Sequence, residues 1–261
     1  MKKLSGVLVC LLLFTFISSA RIIEVADAGI TDKLKAVIAA RNIQGGETAY
    51  TKYITENTDD FNSIDYSVEN GAGNIITGST DTYIKMNAQS TNYATDVSIK
   101  PTFYGSDDET IGLIKFPTAT IPATATVTSV TLGLYCEGTN GASTFKVTRL
   151  LQSWTDSLAT WSWHSGEPNT WNTAGALGSG TDIAATSSST GNAMTDNTWT
   201  TITDTSGQLF TDVQNWIDGG YTNNGWALRR DNGSNDSVWA DLGSEDHTDT
   251  LRPYLKIEYT N

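Results

Sequence analysis

The chain has 261 residues, of which 17% are charged, and its 29 acidic residues outnumber its 16 basic residues to give a formal net charge of −13. This length is enough for one large domain, or for a domain with an accessory segment. The acidic balance excludes nucleic acid as a partner, because no run of basic residues supplies the charge that neutralises phosphates.

Residues 1–28 have the pattern of an export signal or of a retained hydrophobic helix. Lys2 and Lys3 precede an apolar run over residues 4–17, and small residues follow. Cleavage after Ala20 or Ala28 fits the small-residue pattern of export signals. The segment therefore predicts a protein that is secreted or displayed at the extracellular cell surface.

The two cysteines do not predict a disulfide. Cys10 lies in the export segment, which leaves Cys136 alone in a mature chain. Alternation places Cys136 on the same strand face as Val130, Leu132 and Leu134. We therefore expect it to be a small buried hydrophobic residue rather than a reactive thiol.

Residues 29–57 are predicted to form an amphipathic helix, with a break at Gly45-Gly46, and the polar residues 58–80 predict a linker. A basic start, an apolar run, a helix and a β-rich head in this order resemble pilin-like proteins. That resemblance implies an alternative function, a structural subunit of an extracellular filament that forms a homopolymer through its N-terminal helix. The apolar positions at helical spacing are Ile30, Leu34, Val37, Ile38, Ala49, Tyr50, Tyr53 and Ile54.

Residues 81–261 predict a β-sandwich domain. Period-two alternation replaces helical spacing after residue 80, and turn signals such as Asn140-Gly141 separate the runs. One short helix is predicted at GQLFTDVQNWIDGG. Short β-rich runs without βαβ alternation indicate a mainly β fold, an antiparallel jelly-roll-like sandwich. The runs are DTYIKMNA, DVSIKP, ETIGLIKFP, ATVTSVTLGLYC, STFKVTRLL, NTWTTIT, GWALRR, SVWADL and LRPYLKIEYT.

An ordered series of segments over residues 81–261 resembles the DNRLRE family of disaggregatase-related β-sandwich domains. The resemblance implies a jelly-roll-like sandwich in an extracellular, glycan-related setting, similar to non-catalytic carbohydrate-binding modules. The segments are DTYI (81–84), TNYATDVSIKP (91–101), LIKFPTATIPATATVTSVTLGLY (113–135), VTRLLQSWTDSLATWS (147–162), NNGWALR (223–229) and SEDHTDTLRPYLKIEYT (244–260).

The stretch TWSWHSGEPNTW (160–171) is the candidate ligand-binding segment, because sugars stack on flat aromatic rings. Trp161 and Trp163 are two residues apart and face the same way if the stretch is extended. Trp171 follows turn residues, so we expect it to be the most exposed of the three. We expect core positions for Trp154, which follows a predicted strand, for Trp216 and Trp226, which alternate with apolar neighbours, and for Trp239 in the run SVWADL.

The sequence does not predict an enzyme. His164 and Glu167 lie three residues apart, but HExxH and GxSxG motifs are absent. Clustered carboxylates occur in predicted turns, where they are typical of a solvated acidic surface. A glycosidase instead needs two carboxyl groups at a fixed distance across a cleft.

The loop after GWALRR supplies oxygen ligands for Ca²⁺, with Asp231, Asn235 and Asp236 as candidates, although a plain hairpin turn explains these residues equally well. Arg229, on the preceding strand, is a candidate ligand-binding residue.

The acidic excess disfavours uronate-containing glycans, which clustered basic residues would bind. We therefore expect a carbohydrate-binding or adhesion protein whose partner is a polysaccharide or cell-surface glycan, neutral rather than anionic.

Overall fold

The computed structural model describes residues 49–54, 74–76, 79–105, 108–119, 121–140, 144–231, 237–247 and 251–260. The predicted hydrophobic segment 1–28, the first part of the predicted helix and most of the predicted linker lie outside these residues. So does the N-terminal segment on which the filament hypothesis depends. Within the described residues, no helix is both long enough and apolar enough to cross a membrane.

The described part of the chain contains thirteen strands and one α-helix. Each of the nine predicted β-rich runs contains a strand, and the predicted short helix is α1. The elements are β1 (Ala49–Ile54), β2 (Asn74–Ile76), β3 (Thr80–Lys85), β4 (Ser98–Ile99), β5 (Thr102–Phe103), β6 (Glu109–Lys115), β7 (Thr126–Thr139), β8 (Thr144–Arg149), β9 (Ser189–Ala193), β10 (Thr198–Asp204), α1 (Gln208–Ile217), β11 (Trp226–Arg230), β12 (Val238–Gly243) and β13 (Tyr254–Thr260).

The strands form two hydrogen-bonded groups. The front sheet has β7 at its centre, with β10 on one side and β12 and β13 on the other. Beyond them, β13 pairs with β1, β1 pairs with β2, and β12 pairs with β4. The back sheet runs β3-β6-β11-β8-β9. Strand β5 bonds to both β12 and β6 and joins the two sheets. All pairs are antiparallel except β1 with β2, which confirms the mainly β antiparallel fold. Jelly-roll connectivity stays a prediction.

The main core lies between the two sheets. Alternation along β7 buries Val130, Leu132, Leu134 and Cys136 completely, as predicted. Burial raises the pKa of the Cys136 thiol to about 11, so the sulfur is protonated at neutral pH. The back sheet and α1 complete this core with Phe145, Val147, Trp226, Leu228, Leu209, Val213 and Trp216.

A second core cluster covers the outer face of the back sheet. Ile111 and Leu113 of β6 and Ala227 of β11 point away from the main core, into a cluster that includes Trp154. The covering residues come from the long segment between β8 and β9. Because β6 is buried on both of its faces, its sequence ETIGLIK is a nearly continuous apolar run rather than a strict alternation.

Asp204, at the end of β10, fixes the start of α1. Its carboxylate accepts backbone hydrogen bonds from Ser206, Gly207 and Phe210 at 3.1, 2.6 and 3.1 Å. Burial alone would raise the pKa of Asp204, but these donated N–H groups outweigh it and hold the pKa below its ordinary value. The ionised side chain thereby satisfies amides at the helix N-terminus.

The structure corrects the N-terminal predictions at two places. Residues Ala49–Ile54, predicted as helix, form a strand antiparallel to β13. Residues Asn74–Ile76, predicted as linker, form a strand parallel to β1. The sequence AYTKYI is rich in aromatic and β-branched residues, and the edge of β13 offers a full-length partner that outweighs the helical spacing.

Substituting Lys52, which lies opposite Ile257 in the β1–β13 register, tests this correction. Proline removes a backbone N–H and disrupts the pairing, so we expect Lys52→Pro to increase hydrogen exchange at the β13 amides that face β1, by about tenfold or more. Lys52→Ala keeps the N–H and should leave these amides protected. Equal protection in both variants would mean that this strand pair does not form.

Candidate functional site

The structure buries two of the three tryptophans that were predicted to form a ligand platform. Trp161 is 2% exposed and Trp171 is 3% exposed, so both are core residues of the second cluster and the prediction of an exposed platform is wrong for them. The Trp171 indole N–H donates to the Thr160 carbonyl at 2.9 Å. The physical reason is that the apolar outer face of the back sheet needs a cover, and this segment supplies it.

The rest of the predicted stretch lies around this cover. Trp163 is partly exposed and forms an isolated β-bridge with Thr170. The two ring nitrogens of His164 lie 3.1 Å from Gln152 Nε2 and 3.1 Å from Ser165 Oγ, and Glu167 is exposed. The stretch therefore keeps one partly exposed tryptophan instead of a row of three.

The predicted basic and metal-binding residues have the following positions. Arg229 pairs with Glu109 at 3.3 Å and is mostly buried, so it serves an internal ion pair. Asp231 Oδ2 accepts the Gly191 N–H at 2.5 Å, whereas Asn235 and Asp236 lie outside the described residues. In the part of the chain that the structure describes, no three His, Cys, Asp or Glu side chains are grouped to hold a metal ion. Calcium binding stays a prediction.

Three aromatic side chains form a strip on the outer face of the front sheet. Tyr135 of β7, Trp199 of β10 and Tyr254 of β13 are all partly exposed. We call these three residues the outer strip. Trp199 lies opposite Tyr135 in the strand register and is central, with ring centroids 5.5 Å from Tyr135 and 5.2 Å from Tyr254. Neighbouring strands thus present a connected aromatic surface away from the core.

Gly133 of β7 determines how the strip is built. It pairs with Tyr254 on one side and with Thr201 on the other. A Cβ atom at Gly133 would lie 2.1 Å from Tyr254 Cε1, so the tyrosine ring occupies the space above the glycine. The absence of a side chain at this position lets the ring lie close to the sheet and reach Trp199.

Hydroxyl groups flank the outer strip along the strands. Thr131 and Thr203 point to the same face and form a side-chain hydrogen bond of 2.9 Å, and Thr201 is exposed beside them. In such a pair the second hydroxyl proton and lone pairs on both oxygens are left for other partners. Lys256 and Glu258 form an ion pair of 2.6 Å on the same strand as Tyr254. This flank is polar and locally neutral.

The opposite flank, beyond Tyr135, carries two carboxyl groups, Glu137 and Asp241, each near a base. Glu137 Oε1 lies 3.1 Å from His247 Nε2, and Glu137 Oε2 accepts a hydrogen bond from Ser98 at 3.0 Å. Burial raises the pKa of nearby Asp241 above its ordinary value; Lys100 opposes this effect and Glu137 adds to it. The bases His247 and Lys100 on this flank therefore already face carboxyl groups of the protein, rather than standing ready for an anionic ligand.

Alternation alone assigns each residue of the outer strip to the outward face of its strand. The same pattern that buries Leu134 and Cys136 exposes Tyr135, and Trp199 and Tyr254 likewise alternate with the buried Ile202 and Leu255. The missing information was the strand pairing. Trp199 and Tyr254 are 55 residues apart in the numbering, and only the β10-β7-β13 order brings them together.

Comparison with known proteins assigns no family to this chain. A scan of family models finds no match, and a search of curated proteins finds none either. The resemblance to DNRLRE domains therefore stays a prediction from the quoted segments.

Proposed function

We propose that this protein is a non-catalytic, extracellular carbohydrate-binding or cell-surface adhesion protein. The observation that carries the proposal is the outer strip, whose three rings in contact on a sheet face have threonine hydroxyls beside them. Aromatic faces pack against the C–H surfaces of sugar rings, and polar groups at the side fix their orientation. The predicted export segment and the predicted family resemblance agree with this role.

The charges around the strip favour a neutral glycan. Lys256 is paired with Glu258, and the far flank carries Glu137 and Asp241. The four arginines of the described residues are all engaged within the domain: Arg149 contacts Asp212, Arg229 contacts Glu109, Arg230 stacks on Phe103, and Arg252 donates to the His247 carbonyl. Uronate or sulfate groups would need such cations at the surface.

Trp199→Ala tests the proposal, with Trp163→Ala as the matched control. Both tryptophans are partly exposed, but Trp163 belongs to the segment between β8 and β9. We expect Trp199→Ala to weaken binding to neutral polysaccharides at least about tenfold in affinity electrophoresis, and Trp163→Ala to leave it unchanged. The reverse result would move the site to Trp163, and absence of any glycan binding by the exported chain would reject the proposal.

Gly133→Ala tests the geometry while keeping all three rings. The new methyl group would displace the Tyr254 ring, so we expect roughly tenfold weaker glycan binding. Displacement of a ring that packs against Trp199 also costs some folding free energy, so affinity is measured where urea denaturation shows the variant to be folded. Gly138→Ala is the control on the same strand, since its Cβ would lie 3.3 Å from the Trp239 ring and outside the strip. Equal affinities of both variants would contradict a role for the Tyr254 ring.

A further inference from the structure

The orientation of the three rings restricts the kind of glycan that the outer strip can bind. The planes of Tyr135 and Trp199 are inclined by 71°, and those of Trp199 and Tyr254 by 54°. A crystalline polysaccharide presents a flat face, and only coplanar rings can all lie against it. The outer strip lacks this coplanarity, whereas a single glycan chain can rotate at each linkage to follow inclined rings.

The position of the strip on a sheet face adds a second restriction. It crosses β10, β7 and β13, which are adjacent strands, so its length is about 10 Å at a spacing of about 4.8 Å between strands. On one side its neighbours are the short side chains of Thr131, Thr201 and Thr203, with the paired Lys256 and Glu258 beside them, and all three rings stand on strands rather than among the loops of a pocket. A polysaccharide can therefore continue past the strip, and no chain end is required for contact.

From these two observations we infer that the outer strip binds an internal segment of a single, soluble, neutral polysaccharide chain. Crystalline surfaces and chain termini are not its ligands. The inclined rings contact successive sugar units that are rotated relative to one another, and the threonine hydroxyls bond to the sugar hydroxyls. This inference rests on the proposed function and specifies the ligand of the same site.

The test uses the full chain in its exported form and three groups of ligands. Soluble neutral polysaccharides of graded length, such as glucans, mannans and xylans, are measured by calorimetry for affinity and stoichiometry. Crystalline cellulose and chitin are tested by sedimentation, and soluble polyuronates provide the anionic group. Trp199→Ala and Trp163→Ala accompany each ligand, and circular dichroism verifies that both variants are folded.

The expected result is binding to one or more soluble neutral polysaccharides, with more protein bound per chain as the chain lengthens, and at least a tenfold loss in Trp199→Ala. A constant stoichiometry for chains of every length would show recognition of chain ends and overturn the inference. Binding only to crystalline material or only to polyuronates would also overturn it while leaving a carbohydrate-binding function in place. Binding to none of the three groups would reject the proposed function itself.

Discussion

Asp212→Asn is expected to destabilise the protein by about 3–5 kcal/mol, because it breaks a buried charge network. Asp212 of α1 is fully buried. Its Oδ1 accepts from Arg149 and Gln208, each at 3.0 Å, and its Oδ2 accepts from Ser188 at 2.5 Å and from the Trp226 indole at 3.1 Å. The amide would place an N–H₂ group against existing donors and leave the Arg149 charge without its partner.

Urea denaturation measures this loss, and thermal unfolding should show a midpoint lower by about 10 °C. Asp218→Asn is the control, since Asp218 ends the same helix at an exposed position and accepts only from Gln214 at 2.7 Å among its described hydrogen bonds. Its substitution should change stability by no more than about 0.5 kcal/mol. Equal unfolding free energies for the two variants would contradict a stabilising role for the buried network.

Asp182→Asn is expected to loosen the layer that covers the back sheet, at a cost of about 2–4 kcal/mol. Asp182 is fully buried in the segment between β8 and β9. Its Oδ1 accepts the backbone N–H and the side-chain amide of Asn172, at 2.8 and 3.0 Å, and its Oδ2 accepts the N–H groups of Thr173 and Gly178, at 2.8 and 3.0 Å. An asparagine would turn a donor toward half of these N–H groups and leave them unsatisfied.

Loosening of this layer would expose Trp161 and Trp171, so we expect tryptophan emission to shift to longer wavelength and a hydrophobic dye to bind. Asp156→Asn, at a partly exposed position in the same segment, should produce neither change. Unchanged emission and an unchanged unfolding midpoint in Asp182→Asn would show that the carboxylate does not hold the layer. Glycan binding should persist wherever this variant remains folded, because the outer strip lies on the other sheet.

Alternation was enough to predict nine of the thirteen strands and which residues of β7 are buried, whereas β1, β2, β5 and β9 lie outside the predicted runs. It could not predict strand neighbours, because β7 pairs with β10, β12 and β13, all of which follow it at long range in the chain. The turn signal Asn140-Gly141 does not mark a hairpin between paired strands, since β7 and β8 belong to different sheets. Helical spacing was misleading at β1, where pairing with β13 decided the structure.

Because strand pairing could not be predicted, residues 160–171 were predicted to be the ligand-binding segment, although Trp161 and Trp171 are buried. The composition of a loop with three tryptophans suggests an exposed ligand-binding platform. The sequence of the loop alone does not show that an apolar sheet face lies beneath it. The run ETIGLIK was the signal for that face, because successive apolar residues indicate a strand that is buried on both sides. Such a strand requires a second cover, and Trp154, Trp161 and Trp171 are the largest of the apolar residues that provide it.

The most direct test of the outer strip as the glycan-binding site is a titration followed by NMR of the tryptophan indole groups. The chain has eight tryptophans, and substitution by phenylalanine assigns each indole signal. On addition of a soluble neutral oligosaccharide, we predict a saturable shift of the Trp199 signal, while the signals of the buried Trp161 and Trp171 stay in place. A saturable shift at Trp163 without one at Trp199, or no shift at any indole, would contradict the assignment.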